Sequence, residues 1–317
     1  MSAGESKQCG MYDITLNERL PPLIATFRMA GTLRDDINDG SDPFFLLNIH
    51  IPTEKEPEPE ADAFAPLKRI LSASRGNTNK KDELLNNPDW PLILKGFFLC
   101  RHSPVEAALE LLHTKSYVKY QLPNFGESLP SEVVLDIYTI IYLSLTGLAF
   151  GISDKSIKFI ITEETKAAIE AWLKEIKHED YMSVGVRPDG GLWRQTADDI
   201  KQSTQYSQIC RALDLILTEC EVADPLLVDM PAELFQFQDI VDNSVYSTMK
   251  LSVSNDIPWL SIDETFARLF MSSGWRVVNT TTLFKELGSS LSFEQKKEGL
   301  YLYAQEVIPY SLTFQDL

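Results

Sequence analysis

Two short apolar runs in the second half of the chain each end on an aspartate, and each leads into a segment with helical character. The first run is residues 133–135, followed by Asp136, and the second is residues 257–262, followed by Asp263. Apolar runs of this length between turn signals are typical of buried strands. Strands that alternate with helices form a parallel sheet, in which the carboxyl ends of neighbouring strands face one crevice. We therefore expect an α/β fold that brings Asp136 and Asp263 together.

An aspartate directly after a strand also has a simpler explanation, because Asp is a preferred N-cap residue of helices. For either residue alone this capping role is the favoured interpretation. A functional interpretation rests on the pair, supported by Asp239 and Asp242, which lie between them in the sequence. Clustered carboxylates repel each other unless a cation lies between them, and in proteins that cation is commonly Mg²⁺ or Mn²⁺.

The polar, Gly- and Pro-containing segment 121–130 predicts a domain boundary. It separates a smaller α+β N-terminal domain, residues 1–128, from a larger α/β domain, residues 131–317. In the first domain we predict a strand at 44–51 and an extended acidic Pro/Glu linker at 53–62, because like charges and proline keep a chain extended. A helical pattern begins near Trp90, and Ser103-Pro104 is a typical helix start.

The second domain alternates strand and helix patterns after its opening strand. We predict, in chain order, a helix at 138–150, a strand at 157–161, a helix capped by Thr162 that ends near 176, an open loop at 178–194, a long helix at 198–220, a helix at 239–254, a strand at 259–262, a helix at 264–273 and a last strand at 276–279. This order favours a parallel sheet with flanking helices.

The charge balance limits the classes of function. The chain has 46 acidic and 29 basic residues, a net charge of −17. Up to Pro130 there are 18 acidic and 14 basic residues, net −4, and after it 28 and 15, net −13. A protein that coats DNA is excluded, because backbone binding rests on Lys and Arg. A metal-dependent nuclease is not excluded, since bound cations or a partner offset part of the negative charge.

One basic patch lies in the N-terminal domain and is a candidate contact for nucleic acid. A solvated loop is the alternative explanation for the same charges. The patch consists of Lys68, Arg69, Arg75, Lys80 and Lys81.

The cysteines and the chain start predict the compartment. The four cysteines make no C-x-x-C motif and no zinc-ligand spacing with the four histidines, so a structural zinc site and a disulfide framework are not expected. The N-terminus lacks a signal-peptide pattern, and no apolar run reaches the length of a membrane span. We expect a reduced, cytoplasmic protein without membrane contact.

Five motifs in order resemble a PIN-domain ribonuclease, over about residues 131–317. They are Val-Val-Leu-Asp136, Phe-Ile-Ile-Thr-Glu-Glu164, Asp239-Ile-Val-Asp242-Asn-Ser, the run through Asp263-Glu264, and Ser-Gly-Trp-Arg-Val-Val-Asn-Thr-Thr near the end. The resemblance implies a PIN-like parallel sheet and a site at which three or four acids hold Mg²⁺ or Mn²⁺ and activate water to cleave RNA. Carried over by position, Asp136, Asp242 and Asp263 are the catalytic acids, and Glu264 is a further metal ligand.

The chain departs from the family pattern at one acid. The family places a glutamate on the helix after the second strand, and that position is Ala168 here. Either Glu164 or Glu170 replaces it, with Glu164 the assigned metal ligand, or the acid is missing, as in PIN-like domains that are inactive scaffolds. In the same way, Asp239 is an alternative to Asp242.

Three functions remain open from the sequence. The first is a metal-dependent endoribonuclease with RNA as its partner. The second is a catalytically inactive PIN-like scaffold that binds a protein partner or forms a homo-oligomer. The third is a receiver-like phospho-acceptor domain with Asp136 or Asp263 as acceptor, against which the lack of a lysine near the last strand argues.

Overall fold

The structure is a computed structural model of the 317-residue chain. It describes residues 85–87, 90–99, 103–113, 120–179, 181–186, 192–226, 231–235 and 237–312. The predicted strand at 44–51, the predicted linker at 53–62 and the basic patch lie outside the described residues.

The described residues alternate short strands with longer helices. In chain order the elements are α1 (Leu92–Phe98), α2 (Pro104–His113), β1 (Glu132–Leu135), α3 (Ile137–Thr146), a 3-10 helix (Leu148–Gly151), β2 (Lys158–Ile161), α4 (Glu163–Lys177), β3 (Met182–Val186), β4 (Leu192–Thr196), α5 (Ala197–Gln202), α6 (Thr204–Glu219), β5 (Glu221–Val222), α7 (Ala232–Phe235), α8 (Asn243–Asn255), β6 (Trp259–Leu260), α9 (Glu264–Ser272), α10 (Thr280–Ser289) and α11 (Phe293–Ala304).

Four strands form a parallel sheet in the order β5-β2-β1-β6. The central strand β1 pairs Val133 with Phe159 of β2 and Val134 with Trp259 of β6. Because helices cover both faces of a parallel sheet, the side chains of the central strand β1 are buried on both sides, which explains its apolar sequence from Val133 to Leu135. The predicted parallel α/β sheet is confirmed.

Helices cover both faces of this sheet. Helix α3 lies at the centre of the helical layer on one face, where every one of its residues is buried, and it packs against α2, α6 and α11. On the opposite face, Val134 and Ile160 pack against Leu251 of α8. The core that contains α3 also includes apolar residues of α1 and α2. The division into domains 1–128 and 131–317 stays a prediction.

Three elements differ from the sequence prediction. Two paired strands, β3 and β4, begin within the predicted loop at 178–194. The predicted helix at 198–220 is interrupted at Ser203, whose extended backbone and side-chain hydroxyl cap α6. The predicted strand at 276–279 is reduced to single bridges at Val277 and Val278. At Ser203, the capping bond of a polar side chain overrides the periodic pattern.

No helix in the described part of the chain is long and apolar enough to cross a membrane.

Candidate acid site at the carboxyl edge of the sheet

The fold places four predicted acids at the edge of the sheet where its parallel strands end. Asp136 follows β1 directly, Glu164 lies three residues after β2, and Asp263 lies three residues after β6. Asp242 is the N-cap of α8, the helix that leads into β6 and therefore starts at the same edge. This agrees with the rule that such edges carry the ligand sites of parallel α/β sheets.

Asp136 is fully buried, and both of its carboxylate oxygens accept hydrogen bonds. Oδ1 accepts from the Thr139 amide at 2.8 Å, the N-cap bond of α3. Oδ2 accepts from the indole Nε1–H of Trp259 at 2.7 Å and from the Thr139 hydroxyl at 3.2 Å. The hydroxyl of Thr139 also lies 2.9 Å from the carbonyl oxygen of Leu260. These bonds join the ends of β1 and β6 through one carboxylate.

Burial raises the pKa of Asp136 to about 6, because the charged carboxylate loses its hydration. The hydrogen bonds from Thr139, Trp259 and the Tyr138 amide act in the opposite direction, since they stabilise the charged form. The protein donors therefore offset only part of the cost of burial.

Asp263 is also buried, with 3% of its surface exposed. Its Oδ1 accepts from the Phe266 amide at 3.0 Å and caps α9. Its Oδ2 accepts from the amide of Ile93 at 3.0 Å, a residue of α1 that lies 170 positions earlier in the chain. Burial raises the pKa of Asp263, and these backbone hydrogen bonds oppose that rise.

Asp242 and Tyr138 complete the cluster. The Oδ1 atom of Asp242 accepts from the amide of Ser244 at 2.8 Å and from its hydroxyl at 2.6 Å. Burial raises the pKa of the Tyr138 hydroxyl, and the charges of Asp242, Asp136 and Asp263 raise it further. All three aspartates thus act on the same phenol, which lies on the first turn of α3.

The remaining predicted site residues are less closely tied to this cluster. The Oε2 atom of Glu164 is buried without a hydrogen-bond partner among the described residues. Glu264 forms an ion pair with Arg268, one turn later on α9, at 2.5 Å. Asp239 is exposed in the turn before α8. The predicted RNA-contact residues belong to the undescribed part of the chain: Lys68, Arg69, Arg75, Lys80 and Lys81.

Helix α1 brings residues to this edge that the sequence analysis did not identify. Lys95 is 3% exposed; burial lowers the pKa of its ammonium, and the charge of Asp263 partly restores it. Gly96 lies directly against the ring of Tyr138. Lys95 also lines a cleft of about 780 Å³ together with Asp263 and Glu264. In the sequence, only helical periodicity marked α1, and periodicity does not show which part of the chain a helix packs against.

A metal ion does not fit the carboxylates as they are arranged here. Within the described residues, no group of three or more Asp, Glu, His or Cys side chains has the geometry to hold one. Both oxygens of Asp136 and both of Asp263 accept hydrogen bonds from protein donors instead. The capping role expected of each aspartate is confirmed, and Asn279 likewise caps α10.

Comparisons with known proteins identify the family of this region. Residues 134–271 match the family model described as the PIN domain associated with the TPR-GreAB-C-PIN system. Neither a comparison with curated proteins nor one with solved structures found a match. The matched region begins inside β1 and ends within α9, so it contains Asp136, Asp242 and Asp263 but not α1. The C-terminal part of this chain therefore contains a PIN domain.

Proposed function

We propose that the PIN domain is a metal-dependent endoribonuclease whose acid site is closed in the conformation described. One observation carries this proposal: Asp136, Asp242 and Asp263, from three separate elements, all lie at the starts of helices at the carboxyl edge of the sheet. They are the acids at which the resemblance to the PIN family places catalysis. In phosphodiester hydrolysis the oxygen of water bonds to phosphorus, the ester P–O bond breaks and the leaving oxygen takes a proton.

Mg²⁺ or Mn²⁺ is the cation proposed for this site, because oxygen ligands and carboxylates suit these ions. Asp136 and Asp263 must first give up hydrogen bonds that they now accept from Trp259 and Ile93. Glu164 is the proposed fourth ligand, since its Oε2 atom has no hydrogen-bond partner among the described residues.

A catalytically inactive scaffold is the second candidate, and the same hydrogen bonds favour it. Each of the three aspartates already serves as a helix cap, and the family glutamate position is Ala168. A fold can keep such residues for stability alone. The TPR system in the description of the matching family supports a protein partner in either case.

RNA is the proposed substrate, with cytoplasm as the compartment. The net charge of −17 opposes RNA binding unless a basic surface is supplied. The basic patch at Lys68, Arg69, Arg75, Lys80 and Lys81 is the proposed internal source, and a protein partner is the external one.

The proposed activity predicts that Asp242→Asn abolishes Mn²⁺-dependent cleavage of labelled single-stranded RNA by the full-length chain. Asparagine is as good an N-cap as aspartate, so the cap of α8 survives while the charge is lost. We expect a drop in cleavage rate of at least about tenfold, with a melting temperature close to that of the wild type.

Asp239→Asn is the matched control, because it removes an equal charge three residues away from an exposed position. This variant should cleave like the wild type. Equal cleavage by the wild type and Asp242→Asn would instead show that the activity comes from a contaminant, and the scaffold function would replace the nuclease function.

A further inference from the structure

Helix α1 lies on the acid site although it precedes the matched PIN region by more than thirty residues. Its residues Leu92, Ile93, Lys95 and Gly96 are buried. The amide of Ile93 donates to Asp263 Oδ2 at 3.0 Å, so one of the three aspartates is bonded to the backbone of α1.

The backbone of α1 also closes over the phenol on which the three aspartates act. A Cβ atom placed on Gly96 would lie 1.7 Å from the Tyr138 hydroxyl oxygen and 2.5 Å from Cζ of the same ring. Only glycine fits at this point, because a methyl group requires the helix or the buried ring to move. The contact therefore depends on one residue of α1.

The positive charge that α1 carries at Lys95 also lies near the acid site. Lys95 lines the same cleft as Asp263, and the charge of Asp263 favours the protonated form of its ammonium group. A positive charge beside buried carboxylates lowers their mutual repulsion, as a bound cation would.

The hydrogen bond from Ile93 to Asp263 also stabilises α1 itself. It has seven residues, and its N-cap Pro91 makes no side-chain capping bond. Isolated helices of this length are marginal in water. The hydrogen bond from Ile93 to Asp263 supplies a cap that the local sequence does not, so α1 and the acid site stabilise each other.

We propose that α1 is an internal plug of the PIN acid site, which keeps Asp263 closed to a divalent ion while α1 is seated and frees it when α1 leaves. The catalytic consequence of opening rests on the proposed nuclease function, whereas the exclusion of the ion does not.

The test uses Gly96→Ala in the full-length chain, with Gly288→Ala as the matched control. Both positions are glycines inside helices, but a Cβ on Gly288 meets only Leu148 Cδ2, at 3.4 Å. Three quantities are measured for each protein: hydrogen exchange of the Ile93 amide, binding of Mn²⁺ alone by electron paramagnetic resonance, and cleavage of labelled single-stranded RNA.

A plug predicts that Gly96→Ala accelerates exchange at Ile93 and tightens Mn²⁺ binding, each by about tenfold or more, while Gly288→Ala behaves like the wild type. Adding Asp242→Asn to Gly96→Ala should remove the gained Mn²⁺ binding. If Mn²⁺ binding increases without cleavage, the plug stands and the nuclease function fails.

The opposite results overturn the plug. One is a wild type that binds Mn²⁺ as tightly as Gly96→Ala while its Ile93 amide stays protected. Another is faster exchange in Gly96→Ala with unchanged Mn²⁺ binding. If the wild type also cleaves RNA and Asp242→Asn does not, the nuclease function survives the loss of the plug.

Lys95→Glu provides a second route should Gly96→Ala fail to fold. It places a negative charge next to Asp263 without adding volume to the helix interface, and like charges repel. We expect it to release α1 and tighten Mn²⁺ binding, whereas the neutral Lys95→Met should have a smaller effect. Equal Mn²⁺ binding by wild type, Lys95→Glu and Lys95→Met overturns the proposal.

Discussion

The stability of the wild type should fall by about 3 kcal/mol more than that of Asp136→Asn when the pH rises from about 3 to about 8. The cause is the burial of Asp136, which raises the pKa of its carboxyl to about 6 in the folded chain. In the unfolded chain the same group titrates near its usual value of about 3.9. The difference of about two pKa units gives the stated energy at about 1.4 kcal/mol per unit.

The direction follows from which state holds the proton. Between the two pKa values the folded chain binds the Asp136 proton and the unfolded chain does not, so lower pH favours folding. The contribution is most favourable below the unfolded pKa and is lost as the pH rises through the folded pKa. Asp263 adds a change of the same sign, because burial raises its pKa too.

Urea unfolding of both proteins at closely spaced pH values measures this difference. The large negative charge of the chain also makes stability depend on pH, but that contribution is common to wild type and variant. Asp239→Asn controls for the change in net charge from an exposed position. A difference between wild type and Asp136→Asn that stays constant across this range would contradict the burial of a charged carboxylate at this position.

The sheet and the aspartates at its edge could be predicted from the sequence, because they depend on local patterns of residues. An apolar run in a parallel sheet that helices cover on both faces is buried on both sides, and an aspartate at its end then caps the next helix. Val133 to Asp136 meets both conditions, as does Trp259 to Asp263. The edge at which strands end in a parallel sheet follows from topology alone.

The closure of the site could not be predicted from the sequence, because it depends on contacts between distant parts of the chain. Trp259 belongs to an apolar run and is fully buried, but nothing in the neighbouring sequence shows that its N–H reaches Asp136, 123 positions away. The fit of Gly96 against Tyr138 depends in the same way on how α1 packs. Periodicity finds a helix and its apolar side, but not the surface on which that side lies.

Trp259→Phe should destabilise the chain by about 2–4 kcal/mol near pH 8. The lost hydrogen bond to a charged acceptor accounts for about 1.5–3 kcal/mol of this, and the smaller ring leaves unfilled space for the remainder. The edge-to-face contacts of Trp259 with Phe266 and Phe270, at 5.9 and 4.9 Å between ring centroids, are of a kind that phenylalanine partly retains. The result is measured by urea unfolding of full-length protein.

Trp172→Phe is the matched control, because Trp172 is 2% exposed on α4 and the same atoms are removed without affecting the bonds of Asp136. The cost of Trp259→Phe should shrink at about pH 4, where the Asp136 carboxyl is protonated and needs the donor less. It should also shrink in an Asp136→Asn background, in which the charged acceptor is absent, by an interaction energy of about 1–3 kcal/mol. A cost that is the same in both backgrounds and at both pH values would mean that Trp259 acts through packing alone. The indole N–H would then have no part in holding Asp136 at the closed edge.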